Sequence, residues 1–185
     1  MSSIFGLFRP RKSYSLTVLG ARSAGKSTLI HSWRGLWEEV VTSTQVPHDY
    51  TKVKLTSDGM RLKFDVITDM GGFAGARGEW KGDVKKKRYV LYLADARILS
   101  GELNSKELNM HRLEDDTGLI GKWLKESEDR RKRCVLVVTH KDECQLLGQM
   151  GEYAYSTHIR ERLEPLVDKL GRTESGGGCN RHPKR

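Results

Sequence analysis

Positions 20–28 read Gly-Ala-Arg-Ser-Ala-Gly-Lys-Ser-Thr, and no other stretch constrains the fold of this chain as tightly. The segment fits the pattern G-x-x-x-x-G-K-[ST], in which glycine-rich backbone wraps closely enough for successive N–H groups to point at phosphate oxygens. Its context fits as well. Ser15-Leu-Thr-Val-Leu19 is a short apolar run that reads as a buried strand. From Lys26 to Trp37, the side chains of Leu29, Ile30, Trp33 and Trp37 share one helical face. A helix opening directly after the loop adds its partial positive charge to the site. The motif therefore implies that Gly20, Ala21, Arg22, Ser23, Ala24, Gly25, Lys26, Ser27 and Thr28 cradle a nucleoside triphosphate. Lys26 would reach the β- and γ-phosphates in a catalytic role, and the Ser27 hydroxyl would ligate Mg²⁺. None of these residues chooses the base.

The remaining pattern is that of an α/β chain. Residues 52–55 and 62–67 flank Ser57-Asp58-Gly59 as a hairpin. Residues 89–93 and 134–138 are continuous apolar runs, the signature of strands buried on both faces. Between them Leu113, Ile120, Trp123 and Leu124 recur at helical spacing, and residues 157–170 form a second amphipathic helix. Residues 38–50 read as a loop. This order predicts a P-loop NTPase fold of three layers, with a mostly parallel central sheet. Ligands in such sheets bind at the carboxyl ends of the strands, where every motif here falls.

Two motifs bear on the base and the metal. Asp69-Met-Gly-Gly72 ends the second hairpin strand as Asp-x-x-Gly. Asp69 would hold the metal through water, and the Gly72 N–H would approach the γ-phosphate. Thr139-His140-Lys141-Asp142 ends the later apolar strand. Asp142 would accept hydrogen bonds from the guanine ring N–H and exocyclic amine, which adenine cannot supply.

Taken together, these motifs resemble the small Ras-like and ADP-ribosylation-factor-like (Arf-like) GTPases, over residues 13–142. Asp69-Met-Gly-Gly is similar to the Asp-Val-Gly-Gly of Arf-like proteins, and Trp80 falls in a segment where they also carry a Trp. The resemblance implies a switch that binds GTP or GDP with Mg²⁺ and engages a protein effector or regulator. Residues 38–50 and 70–86 would be the two nucleotide-sensitive loops. Within the first, the resemblance points to Thr44 as a second metal ligand with a catalytic role; Thr42 is the alternative, and His48 occupies the place of the family's Pro-Thr threonine.

The departures are informative. Phe73 stands where the family places the Gln that orients the attacking water, so unaided hydrolysis is expected to be slow. Arg77, or an arginine from a partner, is the group that would restore it. Arg22 replaces a Ras-like glycine, and His140 replaces the lysine whose stem lies along the base; an imidazole could stack there instead. After residue 170 a further strand and helix are missing from the pattern, with only a glycine-rich basic tail remaining and Thr173-Glu-Ser-Gly176 as an echo of the last base-contacting loop. That leaves a domain truncated, compact, or completed by a partner.

Length and charge set the outer bounds. The 185 residues suit one globular domain at 13–171, between a basic amphipathic tail (1–12) and a disordered basic tail (172–185). Ile4, Phe5, Leu7 and Phe8 beside Arg9, Arg11 and Lys12 suit contact with a membrane surface. No apolar run is long enough to span a bilayer. Cys134, Cys144 and Cys179 form no disulfide framework, and Arg9 and Pro10 break the only candidate leader, so a cytoplasmic location is expected. The net charge of +9 lies in short runs without interleaved aromatics, which leaves nucleic-acid binding resting on charge alone. Four readings follow: a slow GTPase switch, a pseudo-GTPase that binds without hydrolysing, a P-loop ATPase or kinase, and a nucleic-acid binder.

Overall fold

A computed structural model of the chain describes residues 14–36, 46–57, 60–127, 129 and 132–171. The apolar runs pair around β1 (Tyr14–Gly20), which lies parallel to β3 (Met60–Asp69) on one side and to β4 (Tyr89–Asp95) on the other. β2 (His48–Ser57) runs antiparallel to β3, and β5 (Arg133–Thr139) runs parallel to β4. The sheet order is β2-β3-β1-β4-β5. This is the mostly parallel α/β sheet that the sequence pattern predicts.

Strand alternation builds a core on each face. From β4, Tyr89, Leu91 and Leu93 point to one side and Val90, Tyr92 and Ala94 to the other. The first side is closed by Ile30 of helix α1 (Lys26–Trp33), with Leu29 and Trp33 at its margin. The second is covered by α2 (Arg77–Lys86), α3 (Ala96–Ser100), α4 (Met110–Lys125) and α6 (Glu152–Leu170). A shorter helix, α5 (Gln145–Met150), precedes α6. α4 and α6 approach until their backbones touch: a Cβ on Gly121 would lie 1.9 Å from the Lys169 carbonyl oxygen.

Several boundaries differ from the sequence expectation. α1 stops at Trp33 because Gly35 takes φ 75 and the Gly35 and Leu36 N–H groups turn back to Ser32 and His31 (3.1 and 3.0 Å). β2 begins at His48, since pairing with β3 extends it into the expected loop. Residues 77–86 of the second expected loop are helical, because Trp80 and Val84 stack one turn apart into the core. α6 starts at Glu152 rather than at residue 157, and it carries Pro165 internally. β5 is not buried on both faces. Among the described residues it pairs only with β4, and its side chains remain partly exposed. Trp37, Thr42, Thr44, Asp58, Gly59, both tails and Cys179 lie outside the described residues.

Candidate nucleotide site

The phosphate loop forms at the carboxyl end of β1. Ser23 (φ 60) and Gly25 (φ 81) take left-handed backbone, which reverses the chain and lets α1 start at Lys26. The Lys26 side chain is only 6% exposed and folds over the loop, donating from Nζ to the carbonyls of Gly20 (3.1 Å) and Ala21 (2.9 Å). Burial pulls its ammonium down from the ordinary value to about 8; Asp69 opposes this and Arg112 adds to it. One residue on, the Ser27 hydroxyl donates to the Asp69 carboxylate. Asp69 is fully buried at the end of β3, in register with Val18 of β1 and His48 of β2. A hydroxyl and a carboxylate brought together beside a phosphate loop make an oxygen donor set that fits Mg²⁺. Arg22 and Ser23 are exposed on the loop, while Ala21 and Ala24 are buried beneath it.

The Asp-x-x-Gly turn is pressed onto this loop. A Cβ on Gly72 would meet Arg22 N at 2.5 Å and the Ala21 carbonyl carbon and oxygen at 2.6 and 2.7 Å. Only glycine fits a contact that close to backbone. Both carbonyls of the turn are held from behind: Trp80 Nε1 donates to Gly71 O (3.0 Å), and Arg112 Nη2 donates to Gly72 O (3.4 Å). Phe73 is 43% exposed and offers no polar atom to a water. The Arg77 Nε donates to buried Asp116 at 2.7 Å.

The base-selecting turn follows β5. Thr139 Oγ1 donates to Ala94 O at 3.4 Å, Lys141 Nζ donates to Glu152 (2.8 Å), and Asp142 is exposed. His140 takes φ 55. Its Nε2 lies 2.9 Å from Ser23 O and its Nδ1 2.8 Å from Glu143 Oε1. The imidazole thus ties the base turn to the phosphate loop. Arg97 continues the tie, bonding both Glu143 and the Asp95 carboxylate at the end of β4 (2.7 Å to Oδ2).

No protein-family model matches the sequence, and no curated protein matches it. Among solved structures, the chain is similar to the crystal structure of a dimerization-deficient mutant of Toc33 from Arabidopsis thaliana, at 21% identity and a TM-score of 0.52. The match covers 85% of this chain, which spans 62% of the length of that Toc33 chain. The likeness supports the fold, a mixed α/β architecture around a five-stranded, mostly parallel sheet.

On this sheet, the three sequence motifs arrive at the carboxyl ends of β1, β3 and β5. Three residues behind the site, Tyr92, Arg112 and Asp116, escape a reading of the motifs. Asp116 accepts from Arg77, from Arg112 (2.9 Å) and from the Tyr92 hydroxyl (2.9 Å), while Trp80 packs beside Tyr92. Burial, followed by the Asp116 charge, pushes the Tyr92 phenol well above its usual value. The one signal in the sequence is the i,i+4 spacing of Arg112 and Asp116, which is also the spacing of ordinary surface ion pairs.

Proposed function

We propose that the chain binds a guanine nucleotide with Mg²⁺ and acts as a nucleotide-dependent switch in the manner of Ras- and Arf-like GTPases. The observation that carries this reading is the convergence of Lys26, the Ser27–Asp69 pair and the His140–Ser23 bridge. Phosphate would lie on the loop of residues 20–28, with Lys26 beneath it. Mg²⁺, held by Ser27 and Asp69, would neutralise charge on the β- and γ-phosphates. Thr44 is the proposed second metal ligand beside Ser27, with Asp69 acting through water. Asp142 would read the guanine edge, with Thr139, His140 and Lys141 shaping the turn. GTP and GDP are the proposed ligands, and a protein effector or regulator the proposed partner. A cytoplasmic location with membrane contact through residues 1–12 completes the proposal.

Two observations support slow turnover, or a binding module that does not hydrolyse. Phe73 has no group to hold a water, and Arg77, the arginine nearest to it in sequence, is engaged by Asp116. Calorimetric titration of nucleotide-stripped protein with GTP, GDP and ATP in Mg²⁺ tests the reading. GTP and GDP should bind and ATP should not, and Lys26→Ala and Asp142→Ala should each abolish the heat. Equal binding of ATP would overturn the guanine assignment.

A further inference from the structure

Trp80 sits outside every nucleotide motif, yet its indole N–H is spent on one backbone oxygen of the Asp-x-x-Gly turn. The ring is fully buried between α2 and β4, so the N–H has a fixed direction, and it donates to Gly71 O at 3.0 Å. No peptide bond among the described residues is cis. In a planar trans peptide the C=O and the N–H point in opposite directions. Holding Gly71 O toward Trp80 therefore aims the Gly72 N–H away from Trp80. The turn itself lies against the phosphate loop, since a Cβ built on Gly72 would meet Ala21 and Arg22. The following peptide is held in the same way, by Arg112 Nη2 on Gly72 O at 3.4 Å. Asp116 fixes the Arg112 guanidinium through its Nε (3.0 and 2.9 Å), and Asp116 is itself held by Tyr92 from the sheet.

We infer that Trp80, supported by Arg112, is a positioning residue that presets the Gly72 N–H toward the terminal phosphate of a nucleoside triphosphate, and so sets the preference for triphosphate over diphosphate. The inference rests on the nucleotide reading above. It assigns a task that the Phe73 position does not perform: this chain orients the turn by its backbone carbonyls rather than by the side chain that follows it. A diphosphate ends short of Gly72 and gains nothing from the preset; a triphosphate does.

The test is a pair of dissociation constants, for Mg·GDP and for a Mg-bound non-hydrolysable GTP analogue, on the full chain and on Trp80→Phe. Phenylalanine keeps an aromatic ring but removes the N–H together with part of the buried indole's volume, so the GDP constant serves as the control for lost packing. One neutral hydrogen bond predicts a loss of about fivefold for the triphosphate, with GDP changed by less than about twofold. Arg112→Lys, which keeps a cation beside Asp116 but not the reach to Gly72, should move the ratio in the same direction and covers the case in which Trp80→Phe does not fold. If both ligands weaken equally, or if neither changes, Trp80 only stabilises the fold and the inference is wrong. If the unaltered protein binds neither nucleotide, the nucleotide reading itself falls, and this inference falls with it.

Discussion

Replacing Lys26 with Met separates what that lysine costs the fold from what it offers a phosphate. Its ammonium is held at about 8 against an ordinary 10.5, with burial as the main cause. At 1.36 kcal/mol per unit, keeping the charge buried at neutral pH costs roughly 3 kcal/mol. Met removes that cost and also removes two hydrogen bonds to the Gly20 and Ala21 carbonyls, at about 1 kcal/mol each. The nucleotide-free variant should therefore be more stable than the parent by about 1 kcal/mol near neutral pH. The pH dependence is the sharper test. Below the folded value the lysine is charged in both states and the cost is present in full. Between the folded and unfolded values the native lysine is neutral while the unfolded one still binds its proton, so stability rises with pH. Between about pH 7 and about pH 9.5 the parent should gain about 2 kcal/mol that the Met variant does not. The variant's advantage should vanish or reverse over that range. Urea denaturation of both proteins at both pH values, without nucleotide, measures the double difference and cancels every other titrating group. An advantage that stays constant with pH would refute the burial argument.

Three substitutions probe the scaffold behind the site. Gly121→Ala places a Cβ 1.9 Å from the Lys169 carbonyl and forces α4 from α6; it should cost about 1–3 kcal/mol in urea denaturation. Gly118→Ala on the same helix meets nothing within 4 Å, so it should be neutral or stabilising by less than about 1 kcal/mol. Asp116→Asn leaves Arg77 and Arg112 around a neutral buried group and should cost roughly 3–5 kcal/mol by the same assay. A loss below about 1 kcal/mol would show that Asp116 is not the hub its contacts describe.

The parts of this fold that can be read from sequence are those whose cause is local. The phosphate loop is legible because its glycines, lysine and serine act within nine consecutive positions. β4 is legible because both of its faces are covered, which demands an unbroken apolar run. β5 has the same kind of run, but its exposure depends on whether another strand lies beside it, which its own residues do not record. α2 is hidden by Gly78, Gly82 and its many charges, so only Trp80 and Val84 betray a face. α5, at six residues, is too short to establish a period. Arg112 and Asp116 read as a solvated pair; they are buried only because Tyr92 and Arg77 meet them in space. His140 finds Ser23 across 117 residues, a contact that the turn alone does not record.

The unequal covering of the sheet also sets the order in which the two ends of the site come apart. β4 is buried throughout and has a strand on either side, whereas β5 has one neighbour among the described residues and is partly exposed. Native-state openings begin where the fewest apolar contacts must break. The base turn hangs from β5, while the phosphate loop hangs from β1 between β3 and β4. Thermal fraying of the sheet edge therefore reaches Thr139 and Asp142 while the loop around Lys26 keeps its shape, and the His140–Ser23 bond is the seam along which the two part. A ligand spanning both ends would bridge the well-covered centre of the sheet and its β5 edge.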